Sequence, residues 1–187
     1  ERKSTILRRQ GQYRESENNI VQLLVFAQAE LGDQKDKMAW CYNLAGEHYA
    51  QWAQHSKTID YYLKAIELME QLPTKPASDL GYRYGALGSV YTLIRDYDKA
   101  VYYHLKGLAV RRTYLPELHI YVAWHYHQLA QAYSTLFKYE EAETHFYKAL
   151  DIRTQLLGKD HSYVGLVYND LGVMEWRRGN YDQALMN

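Results

Sequence analysis

Tyr42, Tyr84, Tyr126 and Tyr168 stand 42 residues apart, and a fixed period of that length constrains the fold more than any local motif. A second series runs on another phase: Tyr13, His55, Tyr97, Tyr139 and Tyr181. Three residues after each comes a small side chain: Ser16, Thr58, Ala100, Ala142 and Ala184. Tyrosine is 20 of the 187 residues, so four in phase would arise by chance roughly once in ten thousand trials. The chain is an internal repeat.

The spacing inside each unit is helical. Tyr84, Leu87, Gly88 and Tyr91 fall at i, i+3, i+4 and i+7, one face of an α-helix. The face recurs as Tyr42, Ala45, Gly46, Tyr49, as Tyr126, Leu129, Ala130, Tyr133, and as Tyr168, Leu171, Gly172. A small residue beside large rings lets a second helix approach closely. That helix presents Ala100, Leu105 and Leu108 in one unit, and Ala142, Phe146, Ala149 and Leu150 in the next.

Turn residues occur in phase as well. Gly32-Asp33, Pro73 to Pro76, Pro116 and Gly158-Lys159-Asp160 separate units. Arg95-Asp96, Phe137-Lys138 and Gly179-Asn180 mark short turns within them. The expected organisation is a single array over 1–187: a partial repeat 1–34, repeats 35–76, 77–118 and 119–160, and a partial repeat 161–187. Residue 1 is expected inside a helix and the last unit stops at Asn187, with no polar capping face at either end. The expectation is a segment of a longer chain, or a stack continued through a partner.

These residues resemble the tetratricopeptide (TPR) signature of an aromatic, then Leu-Gly, then Tyr, then Ala and a further aromatic. The usual unit has about 34 residues, and eight more add roughly two helical turns per pair. Ala149-Leu150-Asp151-Ile152-Arg153, followed by Leu157-Gly158-Lys159-Asp160-His161, is similar to the inter-repeat segment of the kinesin light chain group. Thr58 in place of Ala, and the lack of a late proline, depart from the pattern. The resemblance implies an all-α fold, a right-handed α-solenoid of stacked antiparallel helix hairpins. It also implies that the first helix of each pair lines a concave groove.

On that geometry the groove positions are Trp40, Tyr82, Trp124 and Leu166, then Asn43, Gly85, His127 and Asn169, then Glu47, Ser89, Gln131 and Val173, with Trp176 at the rim. Rings give apolar contact at low entropic cost, and amides pair with a peptide backbone. In proteins similar to kinesin light chain, asparagines at the positions of Asn43 and Asn169 hold the bound peptide's main chain. Gly85 and His127 depart from that ladder. For Trp40, Tyr82 and Trp124, packing between helices is the rival role; for Asn43 and Asn169 it is capping. No lysine stands at the positions used by stacks that clamp a chaperone's carboxylate tail. Arg83, Arg95, Arg177 and Arg178 could form a basic stretch for an acidic peptide, or simply be solvated.

Other chemistry finds little support. Lys+Arg and Asp+Glu both number 22, so no surplus of cations points to nucleic acid. The longest apolar run, Ile20 to Leu31, is interrupted by Gln22, Gln28 and Glu30 and is too short to span a bilayer. Cys41 is the lone cysteine, which favours a reducing compartment; the expected location is cytoplasmic. Among His119, His125, His127 and His161, the middle two point about 200° apart on a helix, so no metal site is expected. No phosphate loop, cofactor motif or catalytic constellation is present, and an enzyme is not expected.

The expected function is a non-catalytic scaffold that holds a peptide or linear protein segment in the groove. The alternative is a peptide-sensing arm of a larger signalling or effector protein, such as a protease, ATPase or transcription regulator. An apolar strip around Tyr168 and Leu171 suggests end-to-end self-association.

Overall fold

The computed structural model describes residues 2–74 and 76–186, with side chains from residue 11 onward. The expectations for residue 1, for Lys75 and for Asn187 lie outside the described residues. Among the described residues there are nine helices and no strand. They fall into two compact units, one ending at Pro76 and one beginning at Ala77.

The first unit contains α1 (Arg2–Glu30), α2 (Lys35–Gln51) and α3 (His55–Glu70). α1 is continuous for 29 residues and passes through Gly11, which is the repeat equivalent of a hairpin turn. Its Glu17 carboxylate accepts bonds from Lys57 Nζ at 2.6 Å and from the Tyr49 hydroxyl at 3.2 Å, which ties α1 to both other helices. Ile20, Leu24 and Ala27 pack on Cys41, Ala45 and Tyr49. Burial raises the Cys41 thiol, as suits a packing residue rather than a nucleophile.

The second unit contains α4 (Ala77–Leu93), α5 (Tyr97–Arg111), α6 (Ile120–Thr135), α7 (Tyr139–Leu157), α8 (Ser162–Arg178) and α9 (Tyr181–Met186). Successive helices form hairpins, and α4, α6 and α8 also touch in sequence, so the hairpins stack in register. The core runs through Leu108, Val122, Tyr126, Leu129, Phe146, Ile152, Val167, Leu171 and Met174. Most residues of the expected faces are buried or half-buried, and Leu105 and Tyr168 are the exposed ones. Leu105 is 41% exposed, because the close approach of α5 to α4 is made by Ala100, His104 and Leu108 instead.

The 42-residue period survives at atomic detail. Ala53, Arg95, Phe137 and Gly179 all adopt the left-handed conformation, at φ 54°, 64°, 59° and 89°. The next residue donates its N–H back to the carbonyl of Tyr49, Tyr91, Tyr133 or Glu175, each at 2.9 Å, closing the helix end. The small position is equally constrained. A Cβ on Gly88 would sit 2.7 Å from the His104 ring. Ala130, at the equivalent place, faces Phe146 within the same core. No helix among the described residues is long and apolar enough to cross a membrane.

Candidate functional site

The second and third hairpins of the second unit each begin with the same local device. His119 and His161 cap α6 and α8, their Nδ1 atoms accepting the backbone N–H of Tyr121 and Tyr163 at 3.1 Å. The ring of each tyrosine then lies over a guanidinium from the end of the preceding helix. Arg111 sits 4.6 Å from the Tyr121 centroid, and Arg153 sits 5.7 Å from that of Tyr163. These two histidines are helix caps.

The capped helices and α4 enclose a groove of about 600 Å³. α4 contributes Tyr82, Ala86 and Ser89; α6 contributes Ile120, Tyr121, Trp124, His127 and Gln128; α8 contributes Tyr163 and Leu166. Arg111 and Arg153 complete the lining. Five expected groove positions therefore meet there: Tyr82, Ser89, Trp124, His127 and Leu166. Tyr82 is 52% exposed, whereas Trp124 is half-buried against His104 and His125, with centroids 5.3 and 4.8 Å away.

Trp124 also explains a departure from the amide ladder. A Cβ at Gly85 would lie 2.9 Å from the Trp124 ring, so the space an asparagine would need is already filled. His127 leaves the ladder differently. Its Nε2 is 2.7 Å from Asp170 Oδ2, which also accepts from Gln131 Nε2 at 2.7 Å. Burial opposes ionisation of Asp170, yet the bonds from His127 and Gln131 outweigh it and hold the carboxyl below its ordinary range. Gln131 thus braces α6 to α8 below the groove.

The remaining expected residues lie elsewhere. Asn169 and Trp176 line a separate hollow of about 580 Å³ with Tyr168, Val173 and Tyr181, between α8 and α9. Leu171 is absent from the expected apolar strip because it is buried in the core, which leaves Tyr168, Val173 and Trp176 exposed. In the first unit, Trp40 is 61% exposed beside Leu23, Phe26 and Leu31 of the α1 side. Asn43 is buried, with its Oδ1 unpartnered, and Glu47 is half-buried. Among the described residues, no cluster of three His, Cys, Asp or Glu side chains could hold a metal ion.

Of the four arginines proposed as a basic stretch, Arg178 pairs with Glu140 and Glu143, and Arg95 is the left-handed turn residue. The cations in the groove are Arg111 and Arg153, which the sequence reading did not assign to it. Their 42-residue spacing, shared with His119/His161 and Tyr121/Tyr163, was the signal that could have found them.

Comparison with known families bears on the fold. The tetratricopeptide repeat family model matches residues 2–71, 80–146 and 121–187. The chain belongs to the tetratricopeptide repeat family. This TPR chain is similar to the crystal structure of BtubC (BKLC) from P. vanneervenii, at 21% identity over 94% of this chain and 68% of that one, with a TM-score of 0.72. It is similar to a putative kinesin light chain of Podosopora anserina with nearly identical TPR-like repeats, at 15% identity, 95% and 84% coverage and a TM-score of 0.76. A third similar structure is the Rap conjugation gene regulator of plasmid pLS20 in complex with the Phr* peptide, at 18% identity and a TM-score of 0.64. That match covers 79% of this TPR chain but only 40% of the regulator. At these identities the likeness is one of fold. No curated protein matches the sequence.

Proposed function

We propose that this TPR chain is a non-catalytic interaction scaffold, and that the groove of its second unit holds an extended peptide or a linear segment of another protein. The observation that carries the reading is the lining itself. Exposed rings of Tyr82, Tyr121 and Tyr163 stand along the leading helices, with the polar groups of Ser89 and Gln128 between them. Rings supply contact area, while the hydroxyl and amide suit main-chain donors and acceptors. The volume falls in the range of roughly 300–1,000 Å³ common for ligand sites. The likeness of fold to a regulator solved with a bound peptide supports the same reading.

The test is capture of peptides from a randomised hexapeptide library on the immobilised chain. Tyr82→Ala serves as the groove variant, because this side chain is half in solvent and its loss leaves the core in place. The expected result is retention of a peptide set by the parent chain and at least a roughly five-fold loss of it by the variant, in keeping with a buried aromatic contact. Equal retention by both would reject the groove. If binding there also serves regulation, as in a sensing arm, peptide addition should change an activity of the protein that carries the array.

A further inference from the structure

Arg111 is 7% exposed and Arg153 5%, yet neither guanidinium has a carboxylate within 4.0 Å among the described residues. Their partners are neutral. Arg111 donates to His125 Nε2 at 3.2 Å and to the Tyr114 hydroxyl at 3.3 Å. Arg153 donates from Nη1 to the Tyr163 carbonyl at 2.8 Å, and its Nε has no partner. More exposed arginines of the same unit behave in the opposite way: Arg112 reaches Glu117 at 2.8 Å and Arg178 reaches Glu140 at 2.9 Å.

Burying a cation without a counter-ion is costly, and arginine is seldom found so deep unless paired. Burial accordingly lowers the Arg153 guanidinium, and the field of Asp170 only partly opposes this. Asp170 itself is engaged by His127 and Gln131. The groove that both arginines line contains no Asp or Glu. A guanidinium offers a planar fork of donors matched to a carboxylate, and desolvation strengthens such a pair.

We infer that Arg111 and Arg153 are anion-recognising residues of the groove, and that its peptide ligand presents a carboxylate to them. The inference rests on the groove reading proposed above and adds the chemistry of the occupant. The carboxylate belongs either to an Asp or Glu side chain or to the peptide's C-terminus. The ring faces of Tyr121 and Tyr163, stacked on the two guanidiniums, would hold the forks in place for it.

The experiment uses the whole chain and synthetic hexapeptide arrays in which each position is Glu, Gln, Lys, Leu or Ser, prepared with free and with amidated C-termini. Glu is expected to be retained roughly ten-fold over its isostere Gln, the range of a charge-assisted hydrogen bond. Preference on amidated peptides assigns the side chain as the source, and preference confined to free termini assigns the C-terminus. Arg111→Gln and Arg153→Gln should each lower the Glu-over-Gln ratio, while Arg→Lys at either site should retain part of it. Because the ratio compares two peptides on one protein, a loss of stability in a variant does not mimic the effect. Retention that depends on Tyr82 but ignores Glu would overturn the inference and leave the groove standing. Retention independent of Tyr82 would remove the groove and the inference together.

Discussion

The rings of Tyr91 and Tyr103 lie 5.3 Å apart and within 2° of parallel, joining the two helices of a hairpin face to face. Tyr49 and Tyr61 repeat the arrangement at 5.4 Å and 3°, and Tyr133 meets His145 at 5.3 Å. Tyr91 is buried, so Tyr91→Ala removes the stack and leaves a cavity beside Tyr103. We expect a loss of about 3 kcal/mol in urea unfolding of the second unit. Tyr82→Ala, half in solvent, should cost less than about 1 kcal/mol.

The hairpin turns carry strain that glycine would relieve. Arg95 and Phe137 hold the same left-handed backbone that Gly179 adopts without a Cβ. Left-handed geometry costs a non-glycine residue roughly 1–2 kcal/mol, partly offset by the freedom glycine gains when unfolded. Phe137→Gly should therefore raise the thermal midpoint, and Gly179→Ala should lower it. A lower midpoint for Phe137→Gly would show that its exposed ring contributes more than the strain costs.

Acid should loosen the second unit before the carboxylates titrate. Burial depresses His104 to about 4. His125 falls to about 3, first through burial and then through the nearby charges of His104 and Arg111. A depressed folded value means the unfolded chain binds protons first. Stability is therefore complete above the ordinary histidine value of about 6.5 and is lost from there downward, towards the folded values. At pH 5 each residue should account for about 2 kcal/mol of lost stability. His104→Phe, which copies Phe146 of the next repeat, should remove its share of the slope. Urea midpoints at pH 7 and pH 5 read the difference.

Filling the space at Gly85, packed beneath the Trp124 ring, should be harmful. Gly85→Asn would supply the amide that this chain's own repeats carry at Asn43 and Asn169, but its Cβ would press on the Trp124 ring. Overpacking of this kind typically costs about 1–3 kcal/mol. The substitution should lower the unfolding midpoint, and an unchanged midpoint would show that Trp124 can swing aside.

What was legible in the sequence followed from periodicity. Tyr84, Leu87, Gly88 and Tyr91 read as one helix face because burial repeats every three to four residues, and the structure buries all four. The grouping of groove residues was only partly legible. Position on a leading helix placed Tyr82, Ser89, Trp124 and His127 together, but it could not show that Asp170 engages the side chains of His127 and Gln131. Nor could it show Arg111 and Arg153. They stand at the ends of trailing helices, and only the close passage of the next helix start brings them under Tyr121 and Tyr163.

Each of the three hollows named above holds one tryptophan: Trp124 in the groove, Trp176 between α8 and α9, and Trp40 beside α1. Fluorine NMR of the chain labelled with 5-fluorotryptophan, titrated with a library-selected peptide, reports on all three at once. A saturating shift of the Trp124 resonance, with Trp40 and Trp176 unmoved, is the predicted result. A shift at Trp176 or Trp40 with Trp124 silent would contradict the groove as the binding site.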